Sequence, residues 1–560
     1  MARLQGRTLF FITSPRSPFK MIPEISLLVK DFTGKEWNTT TQEEFIKELV
    51  QDEHFEGTGS PKDLAFSARD RINRGPKALG FVDLKPSIQL TDAGKNFIDE
   101  DLCEEALLRQ LLKFQLPSPY HTETTNPDVT FCVKPYLEIL RLVYTLEKVT
   151  FDEIMIFGMQ LTSYTKFDEV IQKILKFREA KENNRGSYKN FMGKYRDDEI
   201  FSIFSDDIQQ GNTKTRESKD ASIAKFIKTK ASNQRDYTDA CFRYLRATGL
   251  VSISQKGKSL YITPEKKAEV EYYLNNIDRK PVFIDSEREY KAYLFNSTVP
   301  TLYTDDRDNI IQELSVISPG ISYSDWDIFA LKKELKHKLT ERKAGIISKQ
   351  VKRLKDYKEY ADVIGTFGDI MNKAYYDTPL MFEWNTWRAM TMLDGGNIVA
   401  NLKFDDNGDP LSTASGNMAD IVCDYGKFAL AVEVTMQSGQ KQYEMEGEPV
   451  SRHLAKLKKE TGKEAYCFFI APKINESCIA HFFVLHKLNL SSYGGESVII
   501  PLELDVFTKM VEQSGKATYE PSPEQVHKFC KYSMEVAKSV NNEMEWYEKI
   551  RSKALDWLAA

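Results

Sequence analysis

Apolar and polar residues alternate over residues 419–425 (ADIVCDY), then yield to an unbroken run of small and β-branched residues over 428–435 (FALAVEVT). The two segments predict a half-buried strand and a fully buried one, joined in a hairpin at the Tyr425-Gly426 turn. Around them GNIVANLKF, EAYCFFIAPK and VIIPLEL read as further strands, with helices between and before them. The expected order over about 380–505 is α-β-β-β-α-β-α-β, an α/β arrangement.

The first half of the chain follows the helical period instead. Over 37–100, Ser60-Pro61 reads as a helix start and LAFSARDRIN sets Leu64, Ala68 and Ile72 on one stripe, with Arg69 and Arg71 on the other side. Arg74-Gly75-Pro76 is expected to break this helix, after which GFVDLKPSIQLT predicts a hairpin and Thr91 the start of another helix. The pattern recurs over 235–275: a helix from Thr238 to Ala247 turns Cys241, Tyr244 and Leu245 inward and leaves Arg235, Arg243 and Arg246 outside. A hairpin with Lys256-Gly257-Lys258 at its turn follows. Both pieces read as winged-helix-like units. Between them, PYLEILRLVYTL and FDEVIQKILKFREAK predict a third helical piece. Residues 205–235, with Lys214, Arg216 and Lys219 among their cations, read either as a phosphate-contacting stretch or as a solvated linker. Residues 281–303 lack periodicity and contain Pro281 and Pro300, which places the domain junction there. Residues 306–375 read as charged spacer helices.

Composition changes this picture little. With 41% hydrophobic and 28% charged residues, the 560-residue chain has the make-up of an ordinary globular protein of several domains. Its seven cysteines are odd in number and scattered, which fits a reducing compartment and suggests neither a disulfide framework nor a zinc site. The apolar run at residues 9–12 is too short for a secretory signal, and no membrane span is expected. A net charge of −5 requires any basic face to be local.

Chemistry concentrates around the hairpin. Asp420 opens its first strand and Glu433 stands near the end of the second, so both can reach one sheet edge, although an acid at a strand end is also an ordinary surface residue. Mg²⁺ takes one or two protein carboxylates and fills its remaining positions with water and phosphate oxygen, so Asp420, Glu433 and the Val434 carbonyl form a candidate site for it. An acid at the start of one strand with Glu-x-Thr closing the next resembles the PD-(D/E)XK nuclease core, with Thr435 in place of the usual lysine. Glu383, on the preceding helix, can complete the acidic set or be an exposed helix acid. Glu446 and His453 are seven residues apart, about two helical turns, and can orient water or hold phosphate; capping acid and surface histidine are the alternatives.

A set of segments in fixed order carries a more specific resemblance: SPRSP (14–18), AFSARDR (65–71), RQLLKFQLPS (109–118), FRYLRATGL (242–250), FEWNTW, GNMADI, VEVT, EMEGEPVSRH and FIAPKIN. On these the chain resembles the AlwI-type family of type IIS restriction and nicking endonucleases over nearly its whole length. The resemblance implies a bacterial cytoplasmic enzyme with a mainly α DNA-recognition region at 1–280, a linker at 281–303, and a PD-(D/E)XK-like, Mg²⁺-dependent cleavage domain within 304–560 that cuts at a fixed offset from its site. Asp420 and Glu433, then Glu446, Glu383 and His453, are the catalytic residues it implies. Arg16, Arg69, Arg71, Arg74, Arg235, Arg243, Arg246, Lys256 and Lys258 are the expected contacts to double-stranded DNA. Double-strand cutting, by a transient homodimer or with a small catalytic subunit, nicking of one strand, and DNA binding without catalysis all remain open.

Overall fold

A computed structural model of the chain describes residues 2–4, 7–52, 61–123, 130–393, 396–405, 407–413, 418–519 and 521–558. Helices predominate, and none among the described residues is long and apolar enough to cross a membrane. The chain divides into two compact units, one of Met1–Leu49 with Pro61–Lys338, the other containing Leu339–Ala560.

In the first unit, the piece expected over 37–100 comprises helices Thr39–Leu49 and Leu64–Ile72, a short hairpin of Val82–Asp83 with Gln89–Leu90, and helix Asp92–Ile98. Helix Leu64–Ile72 is capped by Asp63, which accepts a hydrogen bond from the Phe66 amide at 2.8 Å. The expected start at Ser60 lies outside the described residues. Arg74-Gly75-Pro76 does not end the helix; the chain continues through a π-helical turn, Asn73–Lys77. A proline ring clashes with the carbonyl four residues back in an α-helix, and the wider turn relieves that clash. Gly75 is required at this turn, because a Cβ there would lie 2.7 Å from Met21 Sδ and 3.1 Å from the Ser14 carbonyl.

The second piece is larger than its sequence suggests. The helix expected from Thr238 is the end of Ile223–Arg246, capped by Ser222. Phe226, Gln234, Thr238, Cys241 and Leu245 are all buried along it, so the helical period runs back through the stretch whose lysines read as a linker. Its hairpin, Val251–Ser254 with Ser259–Ile262, gains a third strand, Lys148–Thr150, which pairs with Ser259–Ile262. Helices Pro135–Leu146 and Phe151–Ile156 flank that strand, so the supposed third helical piece shares a sheet with the second.

Residues 281–303, expected as a linker, lie within the first unit and carry helix Glu287–Phe295. Buried side chains of the RQLLKFQLPS segment hold them. Gln110 donates to the Leu294 carbonyl at 2.8 Å, Lys113 to Leu294 and Asn296 at 3.0 and 2.8 Å, and Gln115 exchanges hydrogen bonds with Val282 at 2.6 and 2.9 Å. Arg109 bonds the Pro300 carbonyl at 2.7 Å and grips Asp305 with both terminal nitrogens, at 2.8 and 2.6 Å. Side chains, rather than an apolar period, order this segment.

In the second unit the elements stand in the expected order. A five-stranded sheet runs Ile499–Glu503, Glu464–Ala471, Phe428–Val434, Ile421–Asp424, Asn397–Ala400. The first three strands are parallel and the last two join antiparallel. Helices Gln440–Thr461 and Glu476–Lys487 make the parallel crossovers, as such connections require. Every residue of Phe428–Val434 is buried, which explains its unalternating sequence. GNIVANLKF, expected as one strand, divides at Asn401: Asn397–Ala400 joins the sheet, whereas Leu402–Phe404 pairs with Pro410–Thr413 in a separate hairpin that was not expected, although Asn407-Gly408 within it is a turn signal.

Candidate active site

The hairpin turns at Tyr425-Gly426, where Gly426 takes a φ of 78° and its amide bonds the Asp424 carboxylate at 2.8 Å. Ile421 pairs with Val432. That register carries Asp420 alongside the end of the Glu433 strand, where its carboxylate accepts the Val434 amide at 2.8 Å. The backbone here is fixed on both sides: Asn401 donates to the Asp420 carbonyl at 2.7 Å and Thr435 to the Ile470 carbonyl at 3.1 Å. Val434, through that amide, positions Asp420.

Helix Gln440–Thr461 brings in the next two groups. Its start is fixed by fully buried Gln442, which donates to the Gln437 and Lys473 carbonyls at 3.0 Å each and accepts from the Asn475 amide at 2.8 Å. The helix reaches back far enough to carry both Glu446 and His453, so their spacing does put them on one face. His453 Nδ1 lies 2.8 Å from Glu433 Oε1. The Thr435 hydroxyl bonds Glu446. Glu383, on helix Thr378–Leu393, has a buried Oε2 without a hydrogen-bond partner.

The electrostatics tie these residues into one cluster. Burial first, then the Glu433 and Glu446 charges, push the Asp420 carboxyl well above its usual range, against the hydrogen bond from Val434. Burial and Glu446 do the same to Glu433, with Arg452 opposing. Glu383 is raised by burial, then by Asp420, Asp377, Glu433 and Glu446. Burial also raises Glu446, against its bond from Thr435 and the nearby His453. His453 moves the other way: burial and Arg452 lower its pKa, so its ring is neutral at pH 7. Sequence reasoning missed Arg452, Asp377 and Gln442, although Arg452 adjoins His453 in a segment already singled out.

The oxygen donors of Asp420 and Glu433, with the Val434 carbonyl, have the chemistry Mg²⁺ prefers. The unpartnered Glu383 Oε2 is a further oxygen in the same cluster. Among the described residues no three His, Cys, Asp or Glu side chains stand in ready metal-ligating geometry.

Of the expected DNA contacts, Arg16 and Arg74 line one cleft, and the others are not brought to it. Arg71 is paired with buried Glu24, and Arg69 with Gln42 at 2.8 Å. Arg243 pairs with Asp239 at 3.1 Å. Arg246, expected outside, is only 6% exposed, because the last turn of its helix is covered on all sides. Arg16, Arg74, Arg235, Lys256 and Lys258 are exposed, Arg74 with Asp70 at 2.7 Å and the two lysines at the hairpin turn.

A carboxylate cluster at the edge of a mixed sheet, in a mostly helical chain of two units, is the frame for comparison with known proteins. The chain belongs to the AlwI restriction endonuclease family, whose model matches residues 77–510. Among solved structures it is similar to the small subunit of the heterodimeric restriction endonuclease R.BspD6I, at 28% identity over 35% of this chain and 95% of that one, with a TM-score of 0.29. It is also similar to the BpuJ1 endonuclease binding domain, solved with modified DNA, at 13% identity over 49% and 92% of the two chains and a TM-score of 0.33. Restriction endonuclease FokI aligns at 11% identity over 93% and 98%, with a TM-score of 0.23. No curated protein matches the chain.

Proposed function

We propose that the chain is a type IIS deoxyribonuclease of the bacterial cytoplasm, whose first unit reads a short asymmetric duplex sequence and whose second hydrolyses a phosphodiester outside it. The observation that carries this reading is the convergence of Asp420, Glu433, Glu446 and Glu383 on one sheet edge, each held above its usual carboxylate range by burial and three of them also by neighbouring acids. The second unit is then a PD-(D/E)XK-like core with Thr435 at the lysine position. In the first unit, the helix and hairpin of each piece are winged helices; the strand order 148–150, 259–262, 251–254 supports this for the second, with residues 157–222 inserted ahead of its last helix.

Asp420, Glu433 and the Val434 carbonyl would hold Mg²⁺, with Glu383 beside them. When bound there, the ion supplies positive charge to the scissile phosphate and makes water more acidic. With Nδ1–H directed at Glu433, as their 2.8 Å separation allows, the His453 ring would keep its Nε2 lone pair to accept a proton from water. The water oxygen bonds to phosphorus, one ester P–O bond breaks, and the departing oxygen ends as a hydroxyl. Glu446, oriented by Thr435, accepts hydrogen bonds from the water shell.

Supercoiled plasmid incubated with the protein and Mg²⁺, followed by mapping of the ends, tests the reading. Discrete ends at a fixed distance from a common sequence are expected. One centre of this kind cuts one strand per event, so open circles indicate nicking, and linear product indicates a second copy or a small catalytic subunit. No cleavage with any divalent cation would overturn the assignment.

A further inference from the structure

A cleft of about 310 Å³ in the first unit carries Arg16, Arg74, Arg216, Asn233, Asp236 and Tyr237 on its walls. Three parts of the chain converge there. Asn233, Asp236 and Tyr237 come from helix Ile223–Arg246, Arg74 from the π turn Asn73–Lys77, and Arg16 from the segment at 14–18. That segment is held by both helix-hairpin pieces: the Tyr244 hydroxyl donates to the Pro15 carbonyl at 3.0 Å, and Gly75 leaves room for the Ser14 carbonyl. Arg16 and Arg216 are exposed and have no ion-pair partner among the described residues.

Phosphate binding alone does not account for this composition. Counterion release rewards net positive charge, yet Glu217, Asp236 and Asp239 stand in the same cleft as the three arginines. Asp239 is engaged by Arg243 at 3.1 Å, whereas Asp236 is exposed. A carboxylate facing a duplex repels its backbone; what it can gain there is a hydrogen bond from the exocyclic amine of cytosine. Arginine grips guanine, and asparagine adenine, through paired hydrogen bonds on the major-groove edge. Burial raises the Tyr237 phenol above its ordinary pKa, so its hydroxyl stays neutral and can both donate and accept. Donors and acceptors interleaved in one concavity match base edges rather than a line of phosphates.

We propose that this cleft is the base-reading centre of the chain, taking the major-groove edges of G·C-containing duplex DNA, with Arg16 and Arg216 on guanine and Asp236 on cytosine. The proposal rests on the reading of the first unit as the DNA-recognising part. To test it, a randomised duplex library is bound by the full-length protein in Ca²⁺ and the retained sequences are determined, for wild type, Arg16→Ala, Arg216→Ala and Asp236→Ala. The same proteins are assayed for plasmid cleavage in Mg²⁺. All three side chains are exposed, and unchanged thermal melting confirms that each variant folds.

Each variant is expected to relax preference at one or two G·C positions, with roughly ten-fold to a hundred-fold weaker binding to the wild-type consensus. Binding to random duplex should stay within about two-fold of wild type, since a phosphate contact would instead weaken all sequences alike. An unchanged consensus and affinity in all three variants overturns the cleft while leaving the nuclease reading intact. A consensus without cleavage by wild type overturns the nuclease reading and leaves the cleft standing. A wild type that enriches no sequence overturns both.

Discussion

His453 Nδ1 stands 2.8 Å from Glu433 Oε1, so a residue of helix Gln440–Thr461 fixes the orientation of a carboxylate on the neighbouring strand. If Glu433 is a metal ligand, His453→Ala should lower Mg²⁺-dependent cleavage by about 10- to 100-fold, the usual cost of losing a ligand's supporting hydrogen bond. Titrating Mg²⁺ separates the causes. A loss recovered at high Mg²⁺ marks orientation of the ligand; one that persists at saturation marks a proton-accepting role for Nε2. Wild-type cleavage at every Mg²⁺ concentration would remove His453 from the site.

Asp420→Asn and Glu433→Gln should each abolish cleavage while leaving gel-shift affinity in Ca²⁺ near wild type. Each change removes one anionic donor from an ion held by few protein groups. Substantial cleavage by either folded variant would end the assignment of that residue.

The raised acids also predict a pH effect on stability. A carboxyl whose pKa is higher folded than unfolded holds more protons when folded. Its contribution is therefore complete below the unfolded pKa, about 3.9 for Asp and 4.3 for Glu, and is lost as pH rises through the folded value. Melting of the metal-free protein should fall with rising pH across that window, and less steeply in Glu433→Gln, where one crowded acid is neutral. Added Mg²⁺ should recover more at high pH, because binding displaces protons. Identical pH slopes for wild type and variant would contradict the clustering.

Arg71, once expected on DNA, pairs with Glu24, which is only 6% exposed. Arg71→Met should leave a buried acceptor without its partner and cost roughly 1–3 kcal/mol of stability. Random-duplex affinity should not change. Thermal melting and gel shift measured together decide it, and weaker DNA binding at unaltered stability would restore Arg71 to the interface.

Lys113 is buried and donates to the Leu294 and Asn296 carbonyls; burial and Arg109 hold its pKa down at about 7. Lys113→Met should remove this donor from the Asn296 carbonyl, leave Leu294 with that of Gln110, and loosen residues 293–298. Faster proteolysis there than in wild type is the expected result, and equal digestion would show that Gln110 and Arg109 suffice.

The hairpin of the second unit and the Asp420 and Glu433 positions on it were legible because strand periodicity and burial act locally along 419–435. The acidic cluster was partly legible: the shared helix face of Glu446 and His453 follows from helical spacing, whereas the approach of Arg452 and Asp377 depends on packing between elements distant in sequence. The first unit was read less well. Charged residues spaced along a helix look like a linker until their buried neighbours are traced, which hid the first half of Ile223–Arg246. Polar side chains that bond backbone carbonyls leave no apolar rhythm at all, which hid the order in 281–303. Arg235 is exposed as helical phase predicts, but Arg69, Arg71 and Arg243 are paired and Arg246 is covered, because an ion pair such as Arg71 with Glu24 joins helices that the sequence does not place side by side.

The three-stranded sheet sets an order of events during synthesis. Lys148–Thr150 finds its partner only in Ser259–Ile262, so everything between must leave the ribosome before that ladder can close. The helices and hairpin at 39–98 contact one another locally and can assemble while the later stretch is still being made. Closing so long a loop adds an entropic cost that grows only slowly with its length, but it delays the non-local pairing. The two helix-hairpin pieces therefore mature at different times, and the one near the N-terminus is in place first.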